Sequence, residues 1–214
     1  MRKHGQSPGD RCRWRFAGVF LLCSLAPTFA GEEAALMQKG EAAYRRGDLE
    51  DAVKWYRAAA DAGYAPAQSK LAFVLDHADE NDEAASSYAK AAAQGYAEGQ
   101  FGYARLLAVG EGIARDTGQA LRWMKASAEQ DFAPALSSLA HWLEGGIHGV
   151  PADVPGAVRY WIRAAELGDP FAMQRLAAGY RKGELGLVPD EGKAREWETR
   201  LRNATAPTGD KRRE

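Results

Sequence analysis

The chain has 214 residues, of which 46% are apolar, 27% charged and 10% aromatic, a globular composition that excludes wholesale disorder and a polytopic membrane protein. Twenty-eight basic residues against 29 acidic leave a formal charge of -1, so nothing in the balance points to nucleic acid or an anionic membrane.

Residues 1–30 differ from the rest. Arg2, Lys3, Arg11, Arg13 and Arg15 precede an apolar run over residues 16–26, and Pro27-Thr28-Phe29-Ala30 ends on a small residue before Gly31. That order reads as a cleavable secretory signal peptide. The run is 11 residues, short of the ~20 a spanning helix requires, which disfavours an uncleaved anchor. Cys12 and Cys23, the only cysteines, both lie in this leader, so cleavage after Ala30 leaves a mildly acidic chain without a thiol, disulfide or cysteine-bound metal. Leu22 occupies the place before Cys23 where a lipoprotein needs a small residue, which argues against lipidation.

From Ala34 the chain repeats. The units in order carry Ala52 with Trp55, Tyr56, Ala59 and Gly63; Ala84 with Tyr88, Ala91 and Gly95; Ala120 with Trp123, Met124 and Ser127; Ala157 with Tyr160, Trp161, Ala164 and Gly168; and Ala194 with Trp197. Their leading alanines are 32, 36, 37 and 37 residues apart, a helical-solenoid period. A second anchor keeps the same register: Ala67-x-x-x-Leu71-Ala72, Gly99-x-x-x-Tyr103-Ala104, Ala135-x-x-x-Leu139-Ala140 and Ala172-x-x-x-Leu176-Ala177. Each unit is therefore two helices, with small residues allowing close approach and Leu, Trp or Tyr filling the gaps. Trp55, Trp123 and Trp161 are expected in the interhelical core.

Asp48, Glu80, Asp116, Asp153 and Asp190 each precede an anchor alanine by four residues and are expected to cap the second helices, Glu80 most weakly. Gly63, Gly95 and Gly168 suit helix ends, with Asp131 in the equivalent place of the third unit. Twelve residues separate Leu71 from Ala84, but 16 or 17 separate the anchors in the last three units. The extra residues form glycine-rich turns with an aliphatic plug: Gly110-Glu-Gly112-Ile113, Gly146-Ile147-His148-Gly149-Val150 and Gly183-Glu-Leu-Gly186-Leu187-Val188.

These motifs resemble the Sel-one-like repeat (SLR) family, a branch of the tetratricopeptide-type helical solenoids, over roughly residues 34–203. The first two units lack the glycine-rich insertion and look more like plain tetratricopeptide units. Glu198, where Tyr56 or Trp161 would be equivalent, fits a terminal cap, and residues 204–214, with Lys211-Arg212-Arg213, read as a disordered basic tail. The resemblance implies an all-α, right-handed α/α solenoid of about five helix-turn-helix repeats. Its first helices line a concave groove, which carries the inward positions onto Glu41, Tyr44, Phe73, Asp76, His77, Phe101, Arg105, His141, Glu144, Gln174 and Arg181. Phe73 and Phe101 are apolar anchors in this reading, or else part of the interhelical core.

The catalytic alternatives have little behind them. His77, His141 and His148 stand in different units without metal-ligand spacing. Gly110-Glu-Gly112 follows a helix and has Arg115 where a dinucleotide fingerprint has its third glycine. Ser86, Ser87, Ser137 and Ser138 lie within helices, not on a nucleophile elbow. The acidic run Asp76, Asp79, Glu80, Asp82 and Glu83 reads as a solvated turn. Cysteine-rich members of the family have been regarded as β-lactamase-like, but that subgroup has one disulfide per repeat and this chain has none beyond its leader. The expectation is an exported, periplasmic or secreted, non-enzymatic scaffold from a Gram-negative-type envelope, with a protein or peptide partner, no cofactor and no metal. A cell-envelope enzyme acting on peptidoglycan or a β-lactam-like substrate, and a structural spacer, are the alternatives.

Overall fold

The anchor alanines 52, 84, 120, 157 and 194 have no exposed surface at all, and Leu71, Leu139 and Leu176 are buried beside Ala72, Ala140 and Ala177. Helices meet at these positions, the alanines allowing close approach and the leucines filling the gaps between helices. The computed structural model describes residues 29–206. They form α1 (Phe29–Arg45), α2 (Leu49–Asp61), α3 (Ala65–His77), α4 (Asn81–Ala93), α5 (Ala97–Val109), α6 (Thr117–Glu129), α7 (Ala133–Gly145), α8 (Val154–Glu166), α9 (Pro170–Lys182) and α10 (Glu191–Thr205). No strand occurs among the described residues. Each odd helix packs on the even helix that follows it, and each pair on the next, giving an α/α solenoid of five helical hairpins. Of the expected leader 1–30, residues 1–28 lie outside the described residues, as do residues 207–214 of the expected tail; the tail expected as disordered from 204 is corrected at its start, since α10 continues through Thr205.

Helix starts follow the acidic caps. Asp48, Asp116, Asp153 and Asp190 accept the backbone N–H three residues on, while Glu80 makes no such bond. An additional cap, Asp169 onto Ala172 at 2.7 Å, starts α9. The other odd helices from α3 to α7 start at uncapped aromatics, Tyr64, Tyr96 and Phe132. Asp131 takes the left-handed backbone expected of the glycine it replaces, at φ 61°, and its carboxylate binds Arg163 of the next unit at 2.7 Å.

Three-residue turns over 46–48 and 78–80 close the first two hairpins, against the longer loops 110–116, 146–153 and 183–190. Ile113, Ile147, Leu185 and Leu187 fill the space under the long loops and Val150 is buried there, whereas Val188 points outward, 80% exposed. The core falls into two clusters, one under α1 to α4 that takes in Leu106 of α5 and one from the rest of α5 onward, and Tyr103 and Ile113 touch both.

One expectation is corrected. Trp161 is fully buried, but Trp55 and Trp123 are only partly so. The buried register is the residue four past the anchor alanine, namely Tyr56, Tyr88, Met124 and Trp161. Trp55 and Trp123 stand three past it, about 100° around the helix. There Trp55 lies under the ammonium of Lys39 at 4.7 Å, and Trp123 meets the edge of Tyr103 at 6.1 Å.

Candidate partner-binding groove

Successive units are stapled by polar contacts as well as by the core. Arg57 binds Glu83 through its two terminal guanidinium nitrogens. Lys70 on α3 binds Glu98 on α5 at 2.7 Å, and Arg105 on α5 reaches Asp76 on α3 at 3.7 Å. Buried Gln68 and Gln100 accept from Gln94 and Gln130 of their own hairpins, each at 2.8 Å, while the Gln68 amide donates to the Ala60 carbonyl at 3.1 Å and the Gln130 amide to the Gly95 carbonyl at 2.9 Å, both in the unit before. The ion pairs and these last two bonds link one unit to its neighbour, so they fix the stacking that brings odd helices side by side.

On the odd-helix face of the first units, Tyr44 of α1 meets the edge of Phe73 of α3, with ring centroids 6.4 Å apart. His77, one turn on, lies against Phe73 at 4.2 Å, and its Nδ1 is 2.8 Å from the Phe73 carbonyl oxygen. Tyr44 stays 41% exposed. The resulting aromatic ridge separates two clefts that share Tyr44, Phe73 and Val74 as walls. One, of about 280 Å³, is completed by Glu41, Arg45, Tyr56, Lys70 and Glu98. The other, of about 520 Å³, opens toward the half-exposed Leu49 with Val53, Glu50 and Ala78 around it. The Tyr56 ring packs on Gly40, where a Cβ would come within 2.5 Å of it.

The remaining expected residues divide into separate groups. Arg105 lines a third cleft, of about 250 Å³, with Val109, Trp142 and His148. Phe101 packs edge-on against Phe132 at the start of α7, 5.5 Å between centroids, and belongs to the margin of the core. His141 and Gln174 are exposed. Arg181 is bound by Glu198 at 2.6 Å and lies 3.6 Å from Glu191, so the polar residue in the aromatic register of α10 serves as an ion-pair partner.

Glu144 is likewise engaged. Arg175 of α9 grips it with a contact of 2.6 Å, and the indole N–H of Trp161 donates to it at 3.0 Å. Arg175 also binds Glu184 at 2.8 Å. Burial alone would raise the Glu144 pKa, but hydrogen bonds from Arg175 and Trp161 together hold the carboxyl below its ordinary range. A carboxyl depressed in the folded state contributes stability above its unfolded pKa of about 4.3, and loses it as pH falls through the folded value. Glu144→Gln should therefore flatten the fall in melting temperature between about pH 5 and pH 3. Parallel wild-type and variant curves would show that this network carries no pH-linked stability.

The sequence pattern reached Glu41, Tyr44, Phe73 and His77, which the structure brings together. It missed Tyr56, Lys70 and Glu98, which complete the same cleft from the second helix, the middle of α3 and the first turn of α5. It also missed Arg175, next to Gln174. The signal for Lys70 and Glu98 was opposite charge nearly one repeat apart. No group of three or more His, Cys, Asp or Glu among the described residues is placed to hold a metal ion. No described helix is long and apolar enough to cross a membrane.

The Sel1 repeat family model matches residues 33–64, 97–132, 133–169 and 170–197, more than half of the chain. It thus takes in the first unit, which lacks the glycine-rich insertion, and leaves residues 65–96 unmatched. Among curated proteins, chitin synthase regulatory factor 3 of Schizosaccharomyces pombe is 36% identical over 128 residues, covering 56% of this chain and 14% of that protein. An uncharacterized protein of Neisseria meningitidis serogroup B is 29% identical over 143 residues, 66% of this chain and 29% of that one. The chain thus spans less than a third of either relative. Among solved structures, a Sel1 repeat protein from Oxalobacter formigenes superposes with a TM-score of 0.73 at 24% identity, covering 86% of this chain and 74% of that one. The protective antigen c5321 of uropathogenic Escherichia coli, which displays an SLR fold, gives 0.65 at 25% identity, over 82% and 39%.

Proposed function

The chain belongs to the Sel1 repeat family, whose repeats mediate protein–protein interaction, and we propose that it is an exported, non-enzymatic scaffold holding a protein or peptide partner in the groove of its first helices. The observation that carries this reading is the half-exposed ridge of Tyr44, Phe73 and His77 with an apolar cleft on either side. Exposed aromatics beside preformed apolar clefts are what binding hot spots are made of. Toward the other end of the same face, Glu144 is paired with Arg175, which also binds Glu184, and Arg181 is paired with Glu198. These internal pairings favour the first three units as the partner site in this reading. The fungal relative is named as a regulatory factor of another protein, which supports a partner-binding role over a reaction of the chain's own. Export rests on the basic start, the apolar run and Ala30 of the leader, and periplasmic or secreted localisation follows from it.

One experiment tests both parts. The full chain, tagged at its C-terminus and expressed in its own host, is used as bait for affinity capture from the envelope fraction, with mass spectrometry of bait and prey. The bait should begin at or near Gly31. A Tyr44→Ala, Phe73→Ala double variant should keep its helical circular dichroism and lose the prey, whereas Gln174→Ala should retain it. A full-length bait in the cytosol would refute export, and undiminished capture by a folded double variant would refute the groove.

A further inference from the structure

Resting on the groove reading above, we propose that the cleft between α1, α3 and α5 is an anchor pocket for one aromatic side chain of a partner peptide, with the Tyr56 hydroxyl as its polar contact to that peptide. The hydroxyl is the first observation. Tyr56 is 2% exposed and lines the cleft. The fully buried unpaired polar side-chain atoms among the described residues are Ser69 Oγ, Asn81 Oδ1 and Ser137 Oγ, so the Tyr56 Oη, which makes no hydrogen bond to a described residue, is not sealed in the core and keeps access to the cleft. At the equivalent position of the fourth unit the polar atom of Trp161 is met by Glu144 at 3.0 Å. The first unit has the same buried aromatic register and lacks the internal partner. Burial, reinforced by the charge of Glu41, raises the Tyr56 pKa, so the phenol keeps its proton and is a donor suited to a peptide carbonyl.

Size and charge then select the occupant. The cleft, at about 280 Å³, falls just below the ~300–1,000 Å³ of small-molecule and cofactor sites. It suits one large side chain. Its charged lining cancels, Glu41 and Glu98 against Arg45 and Lys70, and Lys70 already binds Glu98 at 2.7 Å. A cation or an anion therefore gains nothing from entering. The walls are the Tyr44 and Phe73 rings, 70° to each other, with Val74, and a third ring can add edge-to-face contact to that pair.

The test titrates the ¹⁵N-labelled protein with Nα-acetyl-phenylalanine methylamide, and with the corresponding lysine and alanine compounds. The phenylalanine probe should shift the amides of Tyr44, Lys70 and Phe73 saturably, with at least fivefold tighter apparent affinity than the other two. Tyr56→Phe keeps the ring and should weaken the probe about fivefold, as loss of one hydrogen bond does. Equal response to all three probes, or no saturable shift at these amides, overturns the pocket, and an unaffected Tyr56→Phe overturns the role of the hydroxyl. If the probe is ignored while Tyr44→Ala, Phe73→Ala still loses the captured prey, the pocket falls and the groove stands.

Discussion

Trp161→Ala is expected to destabilise the protein by about 3–5 kcal/mol, and Trp123→Ala by only about 1–2 kcal/mol. Both tryptophans belong to the second helices, but Trp161 is fully buried and packs against Phe171, 5.5 Å between ring centroids. Its truncation opens a cavity between α7, α8 and α9 and also takes away the N–H that Glu144 accepts at 3.0 Å. A carboxylate that is partly desolvated then depends on Arg175 alone. Trp123 lies at the margin of the core, against the edge of Tyr103, and part of its ring is already in water. Urea denaturation of the two variants reads the difference directly. Equal losses would mean that the register three past the anchor alanine supports as much packing as the register four past it.

That pair of residues shows where sequence reading stopped. The anchor alanines and leucines were legible because close helix approach admits only small side chains, and the demand recurs in every unit. The four aspartate caps of the second helices were legible because each is a local bond to an N–H three residues on, whereas Glu80, expected as the weakest, makes none. The tryptophans were harder, since one step along a helix turns a side chain by about 100°, enough to move it from the core to its edge. Tyr44, Phe73 and His77 could be placed on one face because Phe73 and His77 stand four residues apart on α3 and Tyr44 stands three past Glu41, the α1 position equivalent to Phe73. Tyr56, Lys70 and Glu98 come to the same cleft from three different helices, and only the stacking of whole units brings them there. The grip of Arg175 on Glu144 likewise joins α9 to α7, a pairing that no local pattern encodes.

Gly112→Ala is expected to cost more than Gly186→Ala, although both glycines sit in the long loops and both have a left-handed backbone, at φ 61° and 67°. An alanine in that conformation costs roughly 1–2 kcal/mol at either site. Around Gly186 there is nothing within 4 Å of an added Cβ, so the cost ends there. At Gly112 the Cβ would come within 2.1 Å of the carbonyl oxygen of Asn81 and 2.8 Å of the Asp82 nitrogen, at the start of α4 in the preceding unit. These are backbone atoms of a helix and cannot rotate away as a side-chain tip could. The loop has to lift, loosening Ile113, which bridges the two halves of the core. Overpacking of this kind adds about 1–3 kcal/mol to the backbone term. Gly112 thus joins one unit to the unit before it, and only glycine allows the loop to approach the α4 backbone so closely. Denaturant midpoints for the two variants, measured side by side, separate the contributions: the excess loss at Gly112 is the inter-unit contact. Should both variants lose the same stability, the glycine would be required by its turn alone, and the docking of the third unit's loop on α4 would contribute nothing to the solenoid.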